Sequence, residues 1–267
     1  MKIMLSCIMG MYILCCAVTS WSGQGVVTGR LMLKDGSPLS KGQVFFFETE
    51  SETEKPVVGK YWKVPSILEN VDENGSFSVE LEEGTYYIAA IKRMEKDVLG
   101  PPQDGDFFLP SHDKKGVYRI VTVRSDATTD LGAIKGIERY QAKNYRYRGK
   151  LTALEGKLAT MDGVPVKGMY VFAYTDQSMR GRPLFVSARS GKDGRFFLPV
   201  DTGRTFYLKV RNMYAGGTPK TGDLVGVYGS VDEPAPAVTK PSSITRGINI
   251  QLYPFSGQGR QNNGENN

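Results

Sequence analysis

The residue types that most often carry enzyme chemistry are scarce in this sequence of 267 residues. His112 is the only histidine, so any Ser-His-Asp triad would have to use it as the general base. It lies in the polar run 111–114, whose composition is typical of a solvated loop. We therefore expect a surface histidine, and we predict no catalytic residues and no enzyme activity.

Residues that could hold a metal or a phosphate group are equally sparse. Asp72, Glu73 and Asn74 offer oxygen ligands, but these three neighbours precede the turn residue Gly75 and fall short of the about six oxygens that calcium requires. The loop that begins at Gly100 lacks the Lys-Ser/Thr pair of a phosphate-binding loop. The sequence predicts no metal site and no cofactor.

Residues 1–22 have the pattern of a secretory signal peptide. Lys2 precedes the long apolar run 3–18, and Ser20 and Ser22 fit the small-residue pattern of a cleavage site. We predict an exported protein of the periplasm or the cell surface.

All three cysteines, Cys7, Cys15 and Cys16, lie inside this segment. A chain cleaved after Ser22 would have no thiol for a disulfide, a nucleophile or a zinc site. Cys16 is a candidate lipidation site, although Cys15 occupies the position where a small residue is expected. Contact with a membrane is expected only through such a lipid anchor.

The charge balance excludes one class of partner. The formal net charge is +6, and it falls by one unit when Lys2 is removed with the signal segment. This excess favours an anionic partner, but it is too small and too dispersed for nucleic-acid binding, which needs a dense basic face.

The second half of the chain carries clear strand and turn signals. Residues 169–174 are all apolar or aromatic, a composition that suits a half-buried strand. Asp193-Gly194 opens the apolar run 195–200, and Gly203 separates it from 205–210, which indicates a β-hairpin.

The same order of turns and strands occurs twice. Residues 29–48 align with 156–174, and 73–90 align with 192–210, with glycines and Asp-Gly or Asn-Gly turns at matching places. A shared order over this length indicates two tandem copies of one fold.

These repeats resemble the carboxypeptidase regulatory-like domain, a transthyretin-like Greek-key β-sandwich of about seven strands. The second copy shows the family pattern in the following residues: Asp162-Gly163-Val164-Pro165, Gly168, Asp193, Gly194, Phe196, Gly203 and Phe206. The first copy departs from it by insertions at 51–70 and 93–117. The resemblance implies an all-β fold of two tandem sandwiches, and it implies no catalytic residues, because the modules themselves carry none.

The expected organisation has five parts. A signal peptide occupies 1–22, the first sandwich 26–137, a linker 138–149, the second sandwich 150–254, and a disordered Gly, Gln and Asn-rich tail 255–267.

The linker mixes basic and aromatic residues that could bind an acidic surface or stack on sugars. The candidate basic linker consists of Arg139, Lys143, Tyr145, Arg146, Tyr147 and Arg148. The alternative is an extended connector whose tyrosines pack between the sandwiches while its charges stay solvated.

Strand alternation also predicts a set of outward-facing rings on the second sandwich. This candidate binding surface consists of Tyr170, Phe172, Tyr174, Phe197 and Tyr207. If these rings are exposed, they would bind a protein or a sugar. The alternative is that the long loops, the linker or the first sandwich cover them.

Together these features predict an exported, non-catalytic structural or protein-interaction module of the cell envelope or surface. The expected partner is an envelope or surface protein. The alternative is a carbohydrate-binding protein that holds polysaccharide on the aromatic sandwich face.

Overall fold

The computed structural model describes residues 23–49, 55–95, 100–201, 203–214 and 217–257. The signal segment with Cys16, and residues 258–267 of the predicted tail, lie outside this part of the chain. In the described ranges no helix is long and apolar enough to cross a membrane.

The first half of the chain folds into eight strands. They are β1 (Gln24–Leu33), β2 (Gln43–Glu48), β3 (Ile67–Asn70), β4 (Ser76–Glu82), β5 (Gly84–Lys92), β6 (Phe107–Leu109), β7 (Ile120–Val123) and β8 (Thr128–Arg139). Their order is β3-β2-β5-β6-β8-β1-β4, and β7 pairs with β5. The first and last strands pair in parallel, whereas the other pairings are antiparallel.

The second half repeats this arrangement after a short 3₁₀ helix at Ala142–Tyr145. Its strands are β9 (Thr152–Thr160), β10 (Tyr170–Tyr174), β11 (Phe185–Val186), β12 (Arg195–Val200), β13 (Thr205–Arg211), β14 (Leu224–Val227), β15 (Ala237–Val238) and β16 (Ile244–Pro254). The order β11-β10-β13-β14-β16-β9-β12, with β15 on β13, is that of the first half shifted by eight strands. The prediction of an all-β chain with two tandem sandwiches is confirmed, with eight described strands in each. The predicted hairpin of 195–200 and 205–210 is wrong, because β12 pairs with β9 whereas β13 pairs with β10, β14 and β15.

Period-two burial explains why these segments are strands. In β4, Phe77, Val79 and Leu81 are buried while the residues between them face outward, and β12 alternates in the same way. One face of each strand therefore joins an apolar core, and the other face meets solvent or a covering segment.

The turns before β4 and β12 both require glycine. Gly75 and Gly194 have positive φ. A Cβ atom on Gly75 would lie 2.5 Å from the Leu31 carbonyl oxygen, and one on Gly194 would lie 2.3 Å from the Leu158 carbonyl oxygen. Asp72 Oδ1 accepts hydrogen bonds from the Asn74 and Ser76 amides at 2.8 and 2.7 Å. Residues 72–75 thus form the turn between β3 and β4, which stand at opposite ends of the strand order and do not pair with each other. No group of potential metal ligands is found among the described residues.

A second pair of matching turns shows how the copies have diverged. Asp106 accepts a hydrogen bond from the amide three residues earlier, and Asp223 does the same, at 3.0 and 2.8 Å. Asp106 is buried with the guanidinium of Arg93 at 3.0 Å, whereas Asp223 accepts from the Asn212 amide group. The turn is common to both copies, but its ion pair belongs to the first.

The two sandwiches share a core through the loop between β2 and β3. Tyr61 from this loop is 3% exposed and belongs to the apolar core of the second sandwich, with its ring centroid 5.0 Å from that of Phe185. The Val64 amide donates to the Leu184 carbonyl at 3.0 Å, and the Val186 amide donates to Trp62 at 3.1 Å. The loop therefore extends the β11 edge of the second sheet.

This shared core makes a prediction for stability. Tyr61→Ala should lower the free energy of unfolding by about 3 kcal/mol, because it leaves a cavity in the second sandwich and detaches the loop of the first. Urea unfolding followed by far-UV circular dichroism would measure the change. The control Tyr147→Ala removes a ring that is 41% exposed and should shift stability by less than about 0.5 kcal/mol. Equal effects of the two substitutions would contradict the shared core.

Candidate functional site

The predicted aromatic surface is not open to solvent. Tyr170 and Phe172 are only 2% and 4% exposed. They form a cluster with Val186, against which Trp62, Val64 and Tyr214 pack. Of the two alternatives for this face, cover by the first sandwich applies to these two rings, because Trp62 and Val64 of the 51–70 insertion pack on them.

Several contacts fix this cover in place. The guanidinium of Arg189 lies 4.5 Å from the Tyr170 ring centroid, and a Cβ atom on Gly100 would lie 2.8 Å from the same ring. Arg93 donates to the Pro101 carbonyl at 2.9 Å and pairs with buried Asp106. Burial lowers the pKa of Arg93, while the carboxylate of Asp106 acts in the opposite direction. The loop after Gly100 is thereby held against the second sandwich.

The other three rings do not complete a surface. Tyr174 and Tyr207 are cross-strand partners and are half-buried, and the Lys209 ammonium lies 5.2 Å from the Tyr174 centroid. Phe197 is 38% exposed, but it stands on β12, at the opposite end of the strand order. The five predicted residues are therefore divided among separate environments.

The basic linker is also divided by the fold. Arg139 ends β8, with its guanidinium 4.0 Å from the Phe107 ring centroid and a 2.6 Å hydrogen bond to the Gly105 carbonyl. Lys143 lies in the 3₁₀ helix and lines a shallow depression beside Asp104 and Gly105. These two cations line a different depression from Arg146 and Arg148.

Tyr145 anchors the linker to the first sandwich. Its ring stacks on that of Tyr140 at 5.0 Å with planes 13° apart, and both rings meet the edge of Phe108. Burial raises the pKa of Tyr140 to about 12, with a smaller contribution from the charge of Asp104. The alternative interpretation placed the linker tyrosines between the sandwiches, whereas this stack lies on Phe108 of the first sandwich.

The second half of the linker lines a groove of about 870 Å³. Arg146, Tyr147 and Arg148 form one side of it, together with Tyr145. Its basic residues are Lys114, Lys115, Arg119, Arg146 and Arg148, against the two carboxylates of Asp113 and Glu138. We call this feature the linker groove.

Both carboxylates of the linker groove already have partners. Asp113 accepts from the amides of Lys115 and Val117 at 2.8 and 2.9 Å, and Glu138 pairs with Lys34 and Lys114 at 3.7 and 3.6 Å. Arg146 and Arg148 are exposed, and neither makes an ion pair within the described ranges. The groove consequently presents unneutralised positive charge to a ligand.

His112 lines the linker groove but is held by the protein. Its Nδ1 lies 2.9 Å from the Asp113 carbonyl oxygen, and its ring meets the Tyr118 ring edge-on at 5.5 Å. Its Nε2 is buried and has no hydrogen-bond partner among the described residues. The residue is half-buried, in contrast to the solvated position expected, and neither nitrogen is offered to a substrate.

The groove also contains residues that the sequence did not predict as part of a site. Lys114, Lys115 and Arg119 lie about thirty residues before Arg146, so their proximity to Arg146 and Arg148 depends on the fold. The Lys-Lys pair in the polar 111–117 loop was the available signal, but a charge pair in a loop is usually solvated.

Comparisons with known proteins find matches among solved structures only. No protein-family model matches the sequence, and no curated protein matches it at a significant level. Solved structures that match include the TIE protein of Bacillus anthracis, with 10% identity, a TM-score of 0.25 and coverage of 86% of this chain and 34% of that one. This chain therefore spans about a third of the length of the Bacillus anthracis protein.

In two further matches, the alignment covers all or nearly all of the matched protein. A minor pilin of Streptococcus agalactiae has 11% identity and a TM-score of 0.25, with coverage of 90% of this chain and 100% of that one. A DUF3823 family protein of Parabacteroides merdae has 13% identity and a TM-score of 0.23, with coverage of 82% and 98%. Similarities this low give no basis for transferring a family or a function.

The buried Tyr140 predicts a specific pH dependence. Because the folded state holds the phenol proton up to about pH 12 while an unfolded tyrosine releases it near pH 10, stability is present below about pH 10 and is lost as the pH rises toward 12. Tyr140→Phe keeps the ring and removes this titration. Melting temperatures between pH 9 and 12 should therefore fall less steeply in the variant, and parallel curves would contradict the assignment.

Proposed function

We propose that this chain is an exported, non-catalytic interaction module of the cell envelope or surface, and that it binds a partner protein in the linker groove. The observation that carries the proposal is the groove itself, where five Lys and Arg side chains line one concave surface and both carboxylates are internally paired. Such a surface favours and steers an acidic partner.

The packed connection between the sandwiches and the packing of the linker support this role. A docking module must hold its contact residues in a fixed arrangement, since ordering them on binding would weaken the complex. The Tyr140–Tyr145 stack holds the linker side of the groove on Phe108, and Val57 and Val58, from the loop that Tyr61 anchors, also line the groove. The aromatic face, which a sugar-binding function would require, is instead used for this connection.

The finer assignments belong to the same proposal. We assign both sandwiches to the carboxypeptidase regulatory-like class, supported by the repeated turn residues and by the identical strand order of the two copies. We assign residues 1–22 to a secretory signal, supported by Lys2, the apolar run and the small residues that follow. We further divide the chain into sandwiches at 26–137 and 150–254 around the 138–149 linker.

A capture experiment tests the proposed function. Residues 23–267 would be immobilised and exposed to the native envelope fraction, beside the variant Arg146→Gln/Arg148→Gln. The matched control is Arg180→Gln/Arg182→Gln, which removes two exposed arginines at the same spacing from the second sandwich. We expect one protein to be retained by the parent and the control and to be reduced at least tenfold on the groove variant.

Two results would count against this function. Equal loss of the captured protein on both variants would show a general charge effect and remove the groove from the interaction. Retention of purified envelope polysaccharide, with no protein captured, would replace the protein-docking function with carbohydrate binding. Circular dichroism of each variant would establish that the fold is retained.

A further inference from the structure

The two sandwiches end in strands that occupy the same place in the fold but carry different side chains. β4 ends the strand order of the first copy and β12 that of the second, and within the described residues each pairs with one strand, β1 or β9. The outward-facing residues of β4 are Ser76, Ser78, Glu80 and Glu82, and those of β12 are Arg195, Phe197 and Pro199. One end strand is therefore acidic, whereas its counterpart begins with a cation and an exposed ring.

The charge of the acidic end strand has no internal partner. Glu80 and Glu82 are exposed, and within the described ranges neither carboxylate makes an ion pair or accepts a hydrogen bond. Val79 and Leu81 are buried, so the two carboxylates project from the same side of the strand. In an antiparallel end strand, alternate amides and carbonyls point away from the neighbouring strand. β4 thus presents main-chain hydrogen-bonding groups beside two carboxylates.

The end strand of the second copy carries the complementary charge. Arg195 on β12 is the cross-strand partner of Lys157 on β9, and Lys157 is the partner of Asn249 on β16. All three residues are exposed. The Arg195 guanidinium lies 3.2 Å from the carboxylate of Asp193 and 3.8 Å from that of Glu155, but Lys157 makes no ion pair within the described part of the chain. Positive charge therefore remains beside β12.

We propose that this chain associates head to tail with a second copy of itself, through antiparallel pairing of β4 of one copy with β12 of the other. Antiparallel pairing sets the end of β4 against the start of β12, so that Glu82 lies opposite Arg195 and Glu80 lies opposite the Phe197 ring. Lys157 is one strand further away, at about 10 Å from β4. The buried residues of both strands then fall on the same side, and each core keeps its orientation.

Charge and backbone chemistry select this pair of strands. Two β4 strands would bring carboxylates together, which disfavours their pairing, whereas β4 and β12 bring opposite charges together. The β11 end of the second sandwich is already occupied by the loop at Lys63. Pro199 has no amide to donate and ends the ladder after Leu198, which leaves about four residues of each strand to pair.

The size and symmetry of this contact determine how it would behave. A ladder this short predicts weak association that depends on protein concentration, and its charge pairs make it weaker at high salt. Because β4 and β12 are different surfaces, each contact leaves one β4 and one β12 free, so the association can continue beyond a dimer. The contact does not use the linker groove and is independent of the function proposed for it.

Sedimentation equilibrium of residues 23–267 between about 10 µM and 1 mM tests the pairing. We expect the average mass to rise above that of the monomer with concentration and to fall when salt is added. Glu80→Lys/Glu82→Lys and Lys157→Glu/Arg195→Glu should each weaken association at least tenfold. An equimolar mixture of these two variants should associate again, because the acidic β4 of one meets the basic β12 of the other.

Two control variants separate this contact from general charge effects. Arg180→Glu/Arg182→Glu makes the same change of charge as Lys157→Glu/Arg195→Glu at exposed positions between β10 and β11, and it should change association less than twofold. Arg146→Gln/Arg148→Gln should also change it less than twofold, since both residues lie in the linker groove. Circular dichroism of each variant would establish that the fold is retained.

Three results would overturn the inference. The first is a monomer over the whole concentration range, and the second is a mixture of the two reversed variants that does not associate. The third is loss of association on Arg146→Gln/Arg148→Gln with none on Lys157→Glu/Arg195→Glu, which would show that the acidic strand docks in the linker groove and not on β12.

Discussion

The contact on which this structure depends is the insertion of the β2–β3 loop into the second sandwich. Tyr61 completes a core that otherwise belongs to the second half of the chain, and the main chain around Lys63 pairs with Phe185 at the β11 edge. Trp62 faces both ways, toward Phe108 of the first sandwich and toward the Tyr170 cluster of the second. The inserted loop thus removes apolar surface from water and also covers the edge of the second sheet.

This arrangement decides which surfaces remain for recognition. The rings that strand alternation sends outward from β10 are covered at Tyr170 and Phe172, so their large apolar area stabilises the joined sandwiches. The same loop contributes Val57 and Val58 to the linker groove, next to the stack of Tyr140 and Tyr145. Joining the modules therefore covers Tyr170 and Phe172, whereas the linker groove is lined by the first sandwich, its loop and the linker.

The duplication separates what the fold requires from what each copy has acquired. Both copies keep the strand order, the positive-φ glycine of the β3–β4 and β11–β12 turns, and the aspartate turn before β6 and β14. The Arg93–Asp106 ion pair and the loop insertion occur in the first copy and lie where it contacts the second. Shared features maintain the sandwich, and the features of one copy maintain the junction.

The sequence by itself determined the all-β class and the repeat. Alternation of apolar and polar residues and glycine-containing turns depend on residues that are close together in the sequence, and both copies have them. It also identified Arg146, Tyr147 and Arg148 as a basic aromatic segment. Only the tertiary structure decided that Tyr170 and Phe172 are covered and that Lys114, Lys115 and Arg119 line the same groove as Arg146 and Arg148. Alternation fixes the side of a sheet on which a residue lies, but which distant segment packs on that side depends on contacts between residues far apart in sequence.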